Sequence, residues 1–175
     1  MPTPPDDASG FDAEALYRTL LEQVRTGLAG VPDVAIVGIH SGGAWIAERL
    51  AQDLGLSARL GYIDISFYRD DYAKKGLHPH VKSTRIGFDV DGAAILLVDD
   101  VLYTGRTVRA AINVLFDYGR PTRIMLATLA ERDGRQLPVA ADFVAVRTTL
   151  AAGQSLALAR NDAGQLSLTI EPDHA

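Results

Sequence analysis

The chain has 175 residues, 47% hydrophobic and 22% charged, enough for one domain that buries roughly 70% of its unfolded surface. Its 17 basic and 22 acidic side chains leave a formal charge of −5 and a pI near 5.3, so no global field draws it to nucleic acid. The absence of cysteine excludes a disulfide framework, a thiolate nucleophile and a Cys-ligated metal, and no apolar run approaches the roughly 20 residues of a membrane span. These features predict a cytoplasmic protein with no membrane contact. The opening residues, MPTPPDDASG, lack the basic and apolar regions of a signal peptide. They read as a disordered lead-in over residues 1–10, ahead of a single domain over residues 11–175.

In chain order, the first helix is expected from about Ala13 to Leu28, with Asp12 as N-cap and Phe11 and Leu16 placed as a hydrophobic staple. Leu16, Leu20, Val24 and Leu28 form its apolar stripe. Val34 to Ile39 reads as a buried strand, His40 to Gly43 as a turn, and Ala44 to Leu54 as a helix stopped by Gly55. Trp45 reads as a core residue near the start of that helix. Arg59 to Tyr68 alternates like a half-buried strand. A long polar loop from Arg69 to His80 follows, and Val81 to Phe88 is the candidate return strand of the same ribbon. Ala93 to Val98 predicts the central strand, and Arg106 to Tyr118 its helix, with Val108, Ala111, Ile112 and Leu115 facing inward. Ile124 to Leu129 and Phe143 to Val146 are further strands, and Ser155 to Ala159 with Gln165 to Ile170 flank a hairpin turn. Strands alternating with helices predict an α/β fold, a mostly parallel central sheet flanked by helices with an antiparallel flap.

The densest chemistry lies in Ile95 to Thr107, ILLVDDVLYTGRT. A buried strand delivers Asp99 and Asp100 to the carboxyl edge of a sheet. A loop from Val101 to Thr107, rich in hydroxyls and holding Gly105, then enters a helix N-terminus. Carboxylates accept hydrogen bonds from sugar hydroxyls, while successive amides, the hydroxyls of Thr104 and Thr107 and the helix dipole suit a phosphate. Together these demands describe a ribose 5-phosphate. The bland reading is a solvated strand end, and a nucleotide hydrolase also ends a strand in acids. That rival needs a G-x-x-x-x-G-K-[ST] loop, which is absent here. His40, His78 and His80, with Lys74, Lys75 and Lys82, are candidate pyrophosphate groups, set against a reading as solvated loop residues.

ILLVDDVLYTGRT resembles the 5-phosphoribosyl-1-pyrophosphate (PRPP) motif of the type I phosphoribosyltransferases. YIDISFYRDD at 62–71, VKSTRIGFDV at 81–90, VDDVLYTGRTVRAA at 98–111 and YGRPTRIMLATLAERDGRQLP at 118–138 extend the resemblance. They are similar to the PyrR group, pyrimidine-operon regulators with uracil phosphoribosyltransferase activity, over roughly Ile36 to Phe143. The resemblance implies a type I phosphoribosyltransferase fold with a hood, converting uracil and PRPP to UMP and pyrophosphate. It implies that Asp99 and Asp100 hold the ribose hydroxyls and that Val101, Leu102, Tyr103, Thr104, Gly105, Arg106 and Thr107 line PRPP. It places pyrophosphate at Ser41, Gly42 and Gly43, the base at Glu131 and Arg132, and a closing loop at Arg69 to His80, with Arg69 counted among the catalytic residues. Mg²⁺ is expected to be bound mainly through PRPP, with no cluster of protein metal ligands, and a homodimer or higher homo-oligomer is expected.

A second reading stays open. Relatives that regulate through RNA carry a basic residue where this chain has Gly42, and basic or histidine side chains at positions matching Glu22, Gly27, Ala140 and Val146. Lost charges weaken RNA binding in proportion to their number. Arg18, Arg25, Arg132, Arg135 and Arg147 are the available substitutes. On this reading the protein senses UMP or PRPP and contacts a pyrimidine-gene transcript, with weak or no catalysis. Base specificity is expected around Glu131–Arg135 and Phe143.

Overall fold

A computed structural model describes residues 10–66 and 83–173. Helix α1 (Ala13–Leu28) begins at Asp12, whose side chain accepts a hydrogen bond from the Ala15 amide at 3.0 Å. Strand β1 (Val34–Ile39) leads into α2 (Gly42–Leu54), which Gly55 ends in the left-handed conformation at φ 71°. After a short 3₁₀ turn come β2 (Leu60–Ile63), β3 (Ala94–Leu102), α3 (Arg106–Tyr118), β4 (Arg123–Arg132) and β5 (Phe143–Thr148). Two last strands, β6 (Gln154–Arg160) and β7 (Leu166–Pro172), form an antiparallel hairpin.

The main sheet has five strands in the order β2-β1-β3-β4-β5, every neighbour parallel. Both faces are covered, which is why its strands read as unbroken apolar runs. Leu96 and Val98 of β3 join Leu16, Leu20 and Val24 of α1 and Ile46 and Leu50 of α2 in one core. Ile95 and Leu97 turn the other way, to Val108, Ala111 and Leu115 of α3. Each such aliphatic side chain, fully buried, contributes about 1.5–3 kcal/mol. The hairpin is fastened to the first of these cores by Leu166 and Leu168. Phe11 bridges Leu168, and the Leu166 amide donates to Glu14 at 2.7 Å. It supplies the expected antiparallel hood.

The connection after β1 leads outward to β2, while β3 lies on the other side of β1. Chain direction diverges between β1 and β3, and that divergence opens a crevice at the carboxyl ends of the strands.

Several expectations change in detail. Helix α2 starts at Gly42 rather than Ala44, so both glycines lie in its first turn. β3 continues four residues beyond Val98 because Val101 and Leu102 pair with Ala130 and Glu131. The predicted strand from Arg59 stops at Ile63, where Asp64 accepts the Ser66 amide at 2.9 Å and turns the chain. It is an edge strand parallel to β1, and among the described residues its return partner makes a single antiparallel bridge, Tyr62 to Arg85. Trp45 is half-buried, with the Arg160 guanidinium 5.0 Å from its ring centroid, rather than a core residue. Of the expected lead-in, only Gly10 lies among the described residues, packed against Leu168. Arg69 to His80, with Lys82, lies outside the described residues. Among the described residues no helix is long and apolar enough to cross a membrane.

Candidate functional site

A cleft of about 430 Å³ occupies the crevice at the carboxyl edge. Ile39 of β1, His40 and Ser41 of the turn after it and Gly42 of α2 line it, with Asp99 to Gly105 from β3 and its turn, and Thr107 and Val108 from α3. Arg132 of β4, Ser155 and Leu156 of the hairpin, and Ser66 complete the wall. A roomier hollow of about 570 Å³ lies at the opposite edge of the sheet, where Val34 begins β1 and α1 and α2 end, and gathers none of the residues predicted for PRPP or the base, with Arg25 the one RNA candidate on its wall.

The two acids are oriented by their own backbone. Asp99 Oδ1 accepts the Asp100 amide at 2.9 Å, and Asp100 Oδ1 accepts the Val101 amide at 2.9 Å. Asp99 is buried, with 7% of its surface exposed, and Asp100 is half-buried. Asp100 Oδ2 lies beside Gly42, only 2.6 Å from where a Cβ on that glycine would stand. Two of the predicted clusters, acids and pyrophosphate turn, therefore meet in one place.

The turn after β3 is built to present its amides. Gly105 takes φ 93°, a left-handed conformation that favours glycine, and no side chain caps the start of α3. The amides and dipole of the first turn are then available to an anion at Thr107 and Val108. Thr104 Oγ1 accepts the Arg106 amide at 3.2 Å, and the Thr104 carbonyl accepts from Gln136 and Leu137 at 2.9 and 3.2 Å. Arg106 Nε reaches Gln136 Oε1 at 3.0 Å, so the loop after β4 braces the turn.

Ser41 precedes α2 without a side-chain cap, and the His40–Ser41 peptide is cis. At Gly43 a Cβ would fall 2.4 Å from the Val98 carbonyl oxygen. Glycine is required there because the first turn of α2 rests on the end of β3.

The predicted base-side residues separate. Neighbours along a strand point to opposite faces, so Glu131 and Arg132 cannot both enter the cleft. Arg132 enters it. Its guanidinium lies 4.0 Å from the Tyr103 ring centroid and its Nη1 donates to the Gln154 carbonyl at 3.0 Å, while its Nε is buried without a partner. Glu131 stays outside the cleft and lines an adjoining cavity, which Arg132 also borders, with Asp133, Arg135 and Arg147, and its carboxylate accepts from Arg135 and, at 3.1 Å, from Arg147. Phe143 is also remote from the cleft, its ring lying against Gly27 of α1. Sequence reasoning missed Ser155, Leu156, Ser66 and Gln136. The hairpin signal was visible for the first two, but nothing local showed where the hairpin docks.

The arginines considered for RNA are partly engaged: Arg25 pairs with Glu22 at 3.5 Å, and Arg135 and Arg147 share Glu131.

The phosphoribosyl transferase domain model matches residues 11–158. The chain is 53% identical over 170 residues to the bifunctional protein PyrR of Ralstonia nicotianae, covering 94% of this chain and 97% of that one. It is 45% identical over 162 residues to the bifunctional protein PyrR of Nitrosococcus oceani, covering 90% and 92%. Among solved structures it is similar to a purine phosphoribosyltransferase from Pyrococcus horikoshii, with a TM-score of 0.59, 29% identity and 79% and 86% of the two chains covered. A hypoxanthine phosphoribosyltransferase from Trypanosoma cruzi, at 21% identity and a TM-score of 0.62 over 81% of each chain, shares the fold.

Proposed function

The chain belongs to the phosphoribosyl transferase domain family, and from that premise we propose that it makes UMP and pyrophosphate from uracil and PRPP. The single observation that carries the reading is the convergence, in one cleft, of Asp99 and Asp100 with the uncapped N-terminus of α3. Uracil is favoured over a purine because the similarity to the bifunctional PyrR proteins, at 53% and 45%, far exceeds the 29% to the purine enzyme.

In this reading Asp99 and Asp100 accept hydrogen bonds from the ribose 2- and 3-hydroxyls. The amides and hydroxyls of Thr104 to Thr107 enclose the 5-phosphate. The Ser41, Gly42 and Gly43 amides receive pyrophosphate. Arg132, Tyr103, Ser155 and Leu156 border the space left for the base, a revision that replaces Glu131 with the hairpin residues.

Departure of pyrophosphate from C1 leaves an oxocarbenium-like sugar, which the uracil nitrogen then attacks, its N–H proton passing to the departing pyrophosphate or to water. The protein's part is to fix the ribose, receive the leaving anion on oriented amides and exclude water. No covalent nucleophile is needed. The two acids are hard oxygen donors of the kind Mg²⁺ takes, and that ion keeps most of its shell as water or substrate oxygens. When bound, it neutralises charge developing on pyrophosphate. Arg69 to His80 are assigned, from the resemblance alone, to closing the site against hydrolysis of PRPP. A cytoplasmic setting and a homo-oligomeric state belong to the same proposal.

A second role rests on the relatives' name, which is bifunctional: contact with a pyrimidine-gene transcript, tuned by UMP. The acidic pI and the paired arginines favour weak RNA affinity.

The test is pyrophosphate release from PRPP with uracil, set beside orotate, hypoxanthine and adenine. Turnover confined to another base would refute the uracil assignment. Gel-shift titration with leader RNA, with and without UMP, tests the second role, and equal binding to unrelated RNA would remove it.

A further inference from the structure

Tyr62 stands in the edge strand β2, yet three parts of the site meet on it. Its ring is stacked on His40, with centroids 5.3 Å apart and planes 23° from parallel. His40 is the residue before Ser41, and its amide donates to the Ile63 carbonyl at 2.9 Å, which fixes the same turn to β2 through the backbone. The Tyr62 hydroxyl donates to Glu48 Oε1 of α2 at 3.1 Å. The other oxygen of Glu48 accepts from Arg160 of β6 at 3.2 Å, on the strand that carries Ser155 and Leu156 into the cleft. The Tyr62 backbone also exchanges two hydrogen bonds of 2.8 Å with Arg85, close to where the described chain resumes. Burial raises the phenol above its ordinary pKa, followed by the nearby Glu48 charge, so the hydroxyl keeps its proton as a donor.

We propose that Tyr62 is a positioning residue for the pyrophosphate turn, holding the His40 ring and through it the Ser41 and Gly42 amides, while Glu48 and Arg160 hold Tyr62 itself. The hydroxyl bond holds the far end of the ring in place, and the His40 ring lies stacked against its face. The residue touches no substrate; it acts by keeping the turn in the receiving geometry before the anion arrives. This rests on the reading of that turn as the pyrophosphate site.

The experiment is calorimetric titration of the full chain with magnesium pyrophosphate and, separately, with UMP. Tyr62→Leu removes the stack and is expected to weaken pyrophosphate about tenfold, the scale of one aromatic pair, leaving UMP affinity unchanged. Tyr62→Phe keeps the ring and is expected to stay within about threefold of wild type for pyrophosphate. Should Tyr62→Leu not fold, Glu48→Ala frees the ring without removing it, with an expected loss of about threefold for pyrophosphate. The proposal is overturned if pyrophosphate affinity does not change in Tyr62→Leu (or, where that variant does not fold, in Glu48→Ala), if UMP weakens in parallel, or if Phe is as damaging as Leu. A wild-type protein that binds no pyrophosphate overturns both this proposal and the transferase reading. One that binds it but never turns over uracil overturns only the base assignment.

Discussion

Adding one methyl group to either of two neighbouring glycines separates packing from chemistry at the pyrophosphate turn. At Gly43 the new Cβ would stand 2.4 Å from the Val98 carbonyl oxygen and 2.9 Å from Asp99 Cα, both backbone atoms of the central strand. Ordinary contact begins at 3.4 Å, so the start of α2 must withdraw from β3 by about 1 Å. Overpacking of this kind costs about 1–3 kcal/mol, and alanine returns up to about 1 kcal/mol in helix propensity. A net loss of about 1–2 kcal/mol lowers the melting temperature of a domain this size by about 2–8 °C. At Gly42 the methyl meets the Asp100 carboxylate instead, with Oδ2 at 2.6 Å, and a side chain can swing aside where backbone cannot. The expected result of Gly42→Ala is a near-normal melting temperature with a displaced acid. Losing one charge-assisted hydrogen bond to ribose, about 1.5–3 kcal/mol, raises the KM for PRPP about 10- to 150-fold. Thermal melting and steady-state titration of PRPP on both variants decide it. Gly43→Ala melting with the wild type, or Gly42→Ala keeping the wild-type KM, would refute the reasoning from close approach.

Asp100→Asn retains an oxygen to accept the Val101 amide, so the fold should stand while PRPP use weakens about 10- to 150-fold. Unchanged kinetics would take Asp100 out of the ribose contact. Glu14 is held below its ordinary carboxyl value of 4.5 chiefly by the hydrogen bonds from Arg49, at 3.0 and 2.9 Å, against the opposing effect of burial. A depressed folded value means stability that is present above the unfolded value and lost as pH falls through the folded one. Melting scans should therefore show Glu14→Gln below wild type at neutral pH and the two converging in acid; parallel curves would deny the linkage. Removing divalent ions with EDTA should abolish pyrophosphate release and added Mg²⁺ should restore it, whereas EDTA-insensitive turnover would contradict a metal-complexed substrate.

The placement of the acids and of the turn after them was legible because its signal is local: an apolar strand must end somewhere, and Asp99 and Asp100 mark the carboxyl end that borders the cleft. What the sequence hid depends on distant partners. Val101 and Leu102 read as loop because no local pattern reveals that Ala130 and Glu131 pair with them. Gly42 and Gly43 read as a turn for the same reason, since only contact with β3 explains them. Glu131 and Arg132 present a different case. Strand alternation already required that one of them face away, and only the assembled cleft shows that Arg132 is the one that enters. Ser155 and Leu156 enter the site through a docking event, and the stacking of Tyr62 on His40 joins a strand to a turn that no spacing rule connects.

The hairpin that roofs the cleft is tied to the first helix by the Leu166 amide and Glu14, partners 152 positions apart in the chain. Joining such distant segments carries a loop-closure cost that neighbouring segments do not share, and contacts of this range slow folding. The roof is expected to dock late, onto a platform of α1 and α2 already in place. On the proposed reading, a nucleotide in the cleft touches Ser155 and does more than react: by mass action it fastens the two segments, adding about 2.7 kcal/mol of stability at a hundred times its dissociation constant. Nucleotide supply would in this way set the lifetime of the protein as well as its turnover.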